Sequence, residues 1–233
     1  MADGRSTYAR HVTSRQPFTL PFGRNRESFG TSEPRFDPTS WSGALIVIGL
    51  VTAVLYVVEY FNAAHNYSWD RFGVRPRQVD GLWGVVTQPF LHASWGHLLS
   101  NTIPLVAIGW ALMLSGIRVF LFVTACVVVI GDFLTWLVAP SGQIIVGASG
   151  LIFGWLGYLV ARAVFSRRIK WIMIAVMLLV FFGTLLGSLL PTVDSRVSWQ
   201  SHVCGALVGV AVAWFLHPRK GGRGRPAART PVR

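Results

Sequence analysis

Six stretches of about twenty residues, at 43–61, 90–114, 118–139, 144–165, 171–190 and 199–217, run almost free of charge. A helix advances about 1.5 Å per residue, so each is long enough to cross the hydrocarbon core of a bilayer. In that medium the backbone has no water to bond, and a segment must close its own hydrogen bonds by coiling. The fold class is therefore an all-α polytopic membrane protein with six transmembrane helices. Composition agrees: 13% of the 233 residues are charged, 52% are hydrophobic, and a soluble chain carries about 25% charged residues.

The formal charge of +12 acquires a meaning once it is mapped onto the spans. Arginines crowd residues 1–41, the link at 115–118, the link around Arg162, Arg167, Arg168 and Lys170, and the tail beyond His217. These regions fall on one side of a six-span chain. On the other side, Arg71, Arg75 and Arg77 are offset by Asp70 and Asp80. The positive-inside rule then places both termini in the cytoplasm, and the charge is read as a membrane-surface feature with no nucleic-acid partner.

The resulting organisation is a disordered cytoplasmic segment at 1–41, a membrane domain at 42–217 with a long outer loop at 62–89, and a basic disordered tail at 218–233. The early Arg-rich, acid-poor stretch also weakly resembles a transit peptide. Arg-rich, Lys-poor usage in a compact six-span layout suits a bacterial inner (plasma) membrane. Cys126 and Cys204 both lie in apolar runs and are read as small buried hydrophobes. Trp69, Trp83, Trp95 and Trp199 sit near span ends or in the outer loop and form an interfacial belt. The outer loop itself, amphipathic and aromatic, is expected to lie in the outer leaflet.

Polar residues inside a membrane are costly and mark function by default. Three clusters stand out: His92 to Asn101 in "HASWGHLLSN", Gly147-Ala148-Ser149-Gly150, and His202 in "SWQSHVCG". Each lies in the first residues of the second, fourth or sixth span, so all three come to the same outer depth. On helices, His97 and Asn101 share a face, as do Ser149 and Phe153, while Gly147, Gly150, Gly154 and Gly157 form a smooth strip and His202 aligns with Gly205 and Gly209. Small residues allow close helix approach. The fourth and sixth spans are thus expected to pack so that Ser149 meets His202.

A serine becomes a nucleophile when a base takes its proton, and imidazole is the usual base. Acyl transfer also needs donors aimed at the developing oxyanion, which the Asn101 amide, the His97 imidazole and the Ser149 N–H would supply. Pro104, one turn past Asn101, is expected to bend the second span. Asp132, midway along the third, is read as structural, pairing with a hydroxyl such as Thr135 or lining a wet crevice, because it lies too deep to orient His202.

Gly-x-Ser-Gly in the fourth span, His then Gly three residues later in the sixth, and His-x4-His-x3-Asn at the second resemble the rhomboid intramembrane serine proteases over roughly residues 41–217. The resemblance implies a rhomboid-like bundle without cofactor or metal, cleaving transmembrane-helix protein substrates within the lipid bilayer. Ser149 would be the nucleophile and His202 the base of a dyad, with His97 and Asn101 at the oxyanion. Gly147 would open the active-site motif, Phe153 would pack on the histidine ring, and His92 would be structural.

The chain departs from that pattern in three places. Phe153 stands where Tyr is common, Ser201 where Ala is frequent, and Trp83 is followed by Gly84 instead of Arg.

Three other classes compete. A non-catalytic relative would bind transmembrane helices without cutting them. An ion or proton relay would use His97, His202 and Asp132. Zinc proteolysis lacks His-Glu-x-x-His, and the five-residue separation of His92 and His97 would aim them at different faces of a helix.

Overall fold

The computed structural model describes residues 37–38, 40–191 and 198–217. Of the segment expected to be disordered at 1–41, residues 1–36 and 39 lie outside the described residues, as does the tail at 218–233, while Ser40 and Trp41 already belong to the start of the first helix. Six helices long and apolar enough to span a membrane are present: α1 Trp41–Ala64, α2 Trp95–Met113, α3 Ile117–Val138, α4 Ser149–Ser166, α5 Ile169–Leu189 and α6 Trp199–Leu216. No β-strand occurs among the described residues; the one extended pairing is an isolated antiparallel bridge between Val74 and Ile145.

Local chemistry sets the helix starts. Ser40 caps α1 by accepting the Gly43 N–H at 3.0 Å, and Ser94 caps α2 by accepting the His97 N–H at 3.1 Å, the standard use of a hydroxyl at an N-cap. Residues 90–94, expected inside the second span, instead form the end of a 3₁₀ turn and an extended link. Pro89 and the Ser94 cap fix α2 to begin at Trp95. The α2 helix runs on through Pro104, where the missing donor costs one backbone bond.

Residues 144–148, read as the opening of the fourth span, are not helical. Val74 and Ile145 exchange two backbone hydrogen bonds of 2.9 Å, and Gly147 adopts φ +119°, a conformation favoured by glycine. The α4 helix therefore begins at Ser149. In α3 a π-helical turn at Val127–Gly131 interrupts the α-helix immediately before Asp132, and α5 tightens to a 3₁₀ helix over Gly183–Leu189.

The core forms around α4. Leu98, Leu105, Ile108 and Leu112 of α2 and Trp155, Leu156, Tyr158 and Leu159 of α4 are all buried in one apolar cluster with Ile48 of α1. The closest pairing is between α4 and α6. A Cβ on Gly205 would overlap the Gly150 carbonyl, and one on Gly209 the Gly154 carbonyl. These two positions hold the backbones in direct contact, as small residues do between membrane helices. Gly147, expected in the same strip, lies outside the helix and serves a different purpose.

The outer loop is tied to the neighbouring helix end. Arg77 donates to the carbonyls of Leu137 at 2.9 Å and Ala139 at 2.8 Å, satisfying acceptors that the end of α3 leaves open. Trp136 Nε1 returns a bond to the Gln78 carbonyl at 2.9 Å.

Candidate active site

The Gly-to-carbonyl contacts between α4 and α6 bring Ser149, the first residue of α4, to His202, in the first turn of α6. Ser149 Oγ and His202 Nε2 are 2.8 Å apart. His202 Nδ1 lies 3.0 Å from the Ser188 carbonyl, which can only accept, so Nδ1 carries the proton of a neutral ring. Nε2 is then the acceptor, and the Ser149 hydroxyl donates to it. Phe153 stacks on the imidazole with centroids 4.5 Å apart and planes 26° from parallel. The ring is held on both nitrogens and one face.

Gly147 is required by space as well as by φ. A Cβ there would lie 2.6 Å from His97 Cε1, so the imidazole rests on the bare backbone. The Gly147 N–H donates to the Gln88 carbonyl at 3.0 Å. His92 is fully buried and its Nε2 accepts the Ala148 N–H at 3.4 Å. Burial, reinforced by neighbouring His97, pushes the His92 pKa down to about 3, so it is a neutral acceptor that braces the loop.

A cavity of about 760 Å³ opens over these groups, with His97, Asn101, Ser149 and His202 all in its lining. Asn101 Nδ2 donates to the His97 carbonyl one turn back at 3.1 Å. Of the expected site residues, Ser149, His202, His97, Asn101, Gly147, Phe153 and His92 converge here. Gly150 and Gly205 set the helix contact behind them.

Two features were missed by sequence reasoning. The Ser188 carbonyl comes from the 3₁₀ end of α5, and a backbone acceptor leaves no trace in residue identity. Gln88, buried in "TQPF", also donates its Nε2 to Ser201 Oγ at 2.9 Å; a lone amide flanked by apolar residues was the available signal. Ser201, noted as a departure, thus has a partner that alanine lacks. The Thr135 hydroxyl donates to the Gly131 carbonyl of its own helix at 2.9 Å and does not pair with Asp132. Asp132 lies behind α4, where a Cβ on Gly150 would come 3.6 Å from its Oδ1.

These contacts define a class: a six-span helical membrane protein with a Ser–His pair on its tightly packed fourth and sixth helices and a polar cavity above it. The model described as Rhomboid domain matches residues 79–219, and the chain belongs to the rhomboid family. It is 38% identical over 205 residues to an uncharacterized protein of Mycobacterium tuberculosis, covering 85% of this chain and 84% of that one. An uncharacterized protein of Mycobacterium leprae is 39% identical over 183 residues, 76% of this chain and 72% of the relative. Rhomboid-like protein 11, chloroplastic, of Arabidopsis thaliana is 31% identical over 205 residues, 77% and 67% of the two chains.

Proposed function

We propose that this integral multi-pass membrane protein is an intramembrane serine protease that cleaves peptide bonds in or beside transmembrane helices of other membrane proteins. The observation that carries the reading is the 2.8 Å contact between Ser149 Oγ and His202 Nε2, with the ring's tautomer set from behind by a carbonyl. Ser149 Oγ attacks the scissile carbonyl as Nε2 takes its proton. The oxyanion is held by the His97 imidazole, the Asn101 amide and the Ser149 N–H.

Collapse of the tetrahedral intermediate breaks the C–N bond, and the imidazolium returns the proton to the leaving amine. Water from the cavity, deprotonated by His202, then hydrolyses the acyl-enzyme. The Ser188 carbonyl takes the place of a third side chain: it accepts from Nδ1–H throughout and stabilises the imidazolium while it exists. Every step uses atoms of this chain, substrate and water.

The basic residues flanking one end of the helices support cytoplasmic termini in a bacterial inner membrane. Val79, Trp83 and Val86, 79%, 75% and 56% exposed, support an outer loop seated in lipid.

The test is covalent labelling of the detergent-solubilised chain by a fluorophosphonate. Wild type should label, and Ser149→Ala and His202→Ala should not. A folded wild type that stays unlabelled beside an active rhomboid protease would shift the reading to a helix-binding relative without catalysis.

A further inference from the structure

At the end of the bundle opposite Ser149, two cations meet on one aromatic ring. Arg162 follows Ser149 by 13 residues in α4, about 20 Å along the helix axis. Its guanidinium carbon sits 3.6 Å from the centroid of the Trp171 ring of α5, and Lys170 Nζ lies 5.1 Å from the same centroid. Arg162 Nη1 donates to the Tyr158 hydroxyl at 3.4 Å, and that hydroxyl lies 3.2 Å from His217 Nε2, just past the end of α6. The cluster ties the far ends of α4, α5 and α6 together.

The ring and the phenol orient these cations without neutralising them. Among the described residues neither Arg162 nor Lys170 forms a salt bridge, and Arg162 Nε is buried with no hydrogen-bond partner. Arg162 is half-buried and Lys170 is exposed, so both charges can be reached from outside. A guanidinium held flat on an indole is a pre-set planar fork, and that geometry suits phosphate oxygens.

The surface beside the cations decides between a free phosphate and a lipid. Met173, Met177 and Val180 follow Lys170 at spacings of three to four residues and continue its side of α5. They are 61%, 42% and 74% exposed, an apolar strip that starts where the cations end. Paired cations at a helix end above such a strip fit a molecule with an anionic head and acyl chains, whereas inorganic phosphate would use the head site alone. Basic clusters between transmembrane helices recognise lipid headgroups in this way.

We propose that Arg162 and Lys170 bind the phosphate of one anionic phospholipid, whose acyl chains lie along Met173, Met177 and Val180. The bound lipid bridges α4 and α5 at the end away from the active site. Its binding is independent of the protease reading.

The experiment uses the full chain, delipidated in a neutral maltoside detergent and titrated with phosphatidylglycerol. Native mass spectrometry should show one lipid retained per chain, and thermal unfolding should rise by about 5 °C at saturation. Phosphatidylcholine, with the same chains and no net charge, should be retained at least tenfold more weakly. Lys170→Glu, a change on an exposed side chain, should fold and lose the preference for phosphatidylglycerol, as should Arg162→Gln.

Equal retention of the two lipids overturns the proposal by reducing the site to acyl contact. A thermal shift reproduced by inorganic phosphate at the same concentration overturns it by assigning a free-anion site. A preference for phosphatidylglycerol kept in Lys170→Glu also overturns it, and that variant decides the matter if Arg162→Gln fails to fold. Fluorophosphonate labelling, run in parallel, keeps the readings apart: lipid retention without labelling strikes the protease and leaves the lipid site standing.

Discussion

The α4 and α5 helices are consecutive, apolar and of similar length, yet 61% of the α4 window is buried inside the protein against 11% for α5. The nucleophile stands on the most enclosed helix of the bundle, and the carbonyl that orients its base comes from the least enclosed. Two kinds of precision result. Ser149 is positioned by backbone contact with α6 and by the loop braced by Gln88 and His92. His202 owes its ring orientation partly to Ser188, on a 3₁₀ segment with few packing partners.

The largest effect is expected where the enclosed side is broken. Gly205→Val would drive a branched side chain into the Gly150 carbonyl and force α4 from α6. Overpacking costs about 1–3 kcal/mol and sometimes more, so little folded, labelled protein should survive, read by gel filtration and thermal unfolding. Wild-type stability in this variant would mean that the close contact does not hold the pair together.

Next comes chemistry without loss of fold. Asn101→Ala removes one proposed oxyanion donor and should slow cleavage of a transmembrane substrate by about 10² to 10³, while the Ser149–His202 contact stays intact. An unchanged rate would remove Asn101 from the oxyanion.

Acid sharpens the account of the braced loop. His92 has a folded pKa near 3, below its unfolded value of about 6.5. Below pH 6.5 the unfolded chain takes up a proton that the folded chain refuses, so stability falls from about pH 6.5 down to about 3 and is fully present above that window. His92→Gln should be less stable at neutral pH but show a flatter acid limb in thermal unfolding. A limb as steep as wild type would place the buried proton acceptor elsewhere.

The smallest effect belongs to the open side. Phe181 of α5 is 72% exposed, and Phe181→Leu should change stability by less than about 0.5 kcal/mol. A larger loss would show that α5 has a partner in the membrane.

Span number and the Ser149–His202 meeting were legible in the sequence because both rest on long-range regularities: apolar run length, and small residues repeating at helical spacing. The start of α4 was not legible. Residues 144–148 are as apolar as any helix, and what unwinds them is pairing of Ile145 with Val74, seventy-one residues away, which hydropathy does not encode. Gly147 was read as part of the helical glycine strip, yet it lies before the helix. Its missing side chain makes room for the His97 ring, whereas Gly205 and Gly209 bring the helices together. Ser188 escaped notice because its contribution is a carbonyl that any residue would carry.

The late start of α4 has an electrostatic consequence. Because Ser149 is the first helical residue, the amides of the opening turn have no acceptor within the helix, and the aligned peptide dipoles of its 18 residues leave about half a positive charge at that end. Under the proposed chemistry, negative charge born on the substrate oxygen arises beside this pole. The field is built into the backbone, exists before substrate arrives, and survives any side-chain substitution that leaves the helix in place.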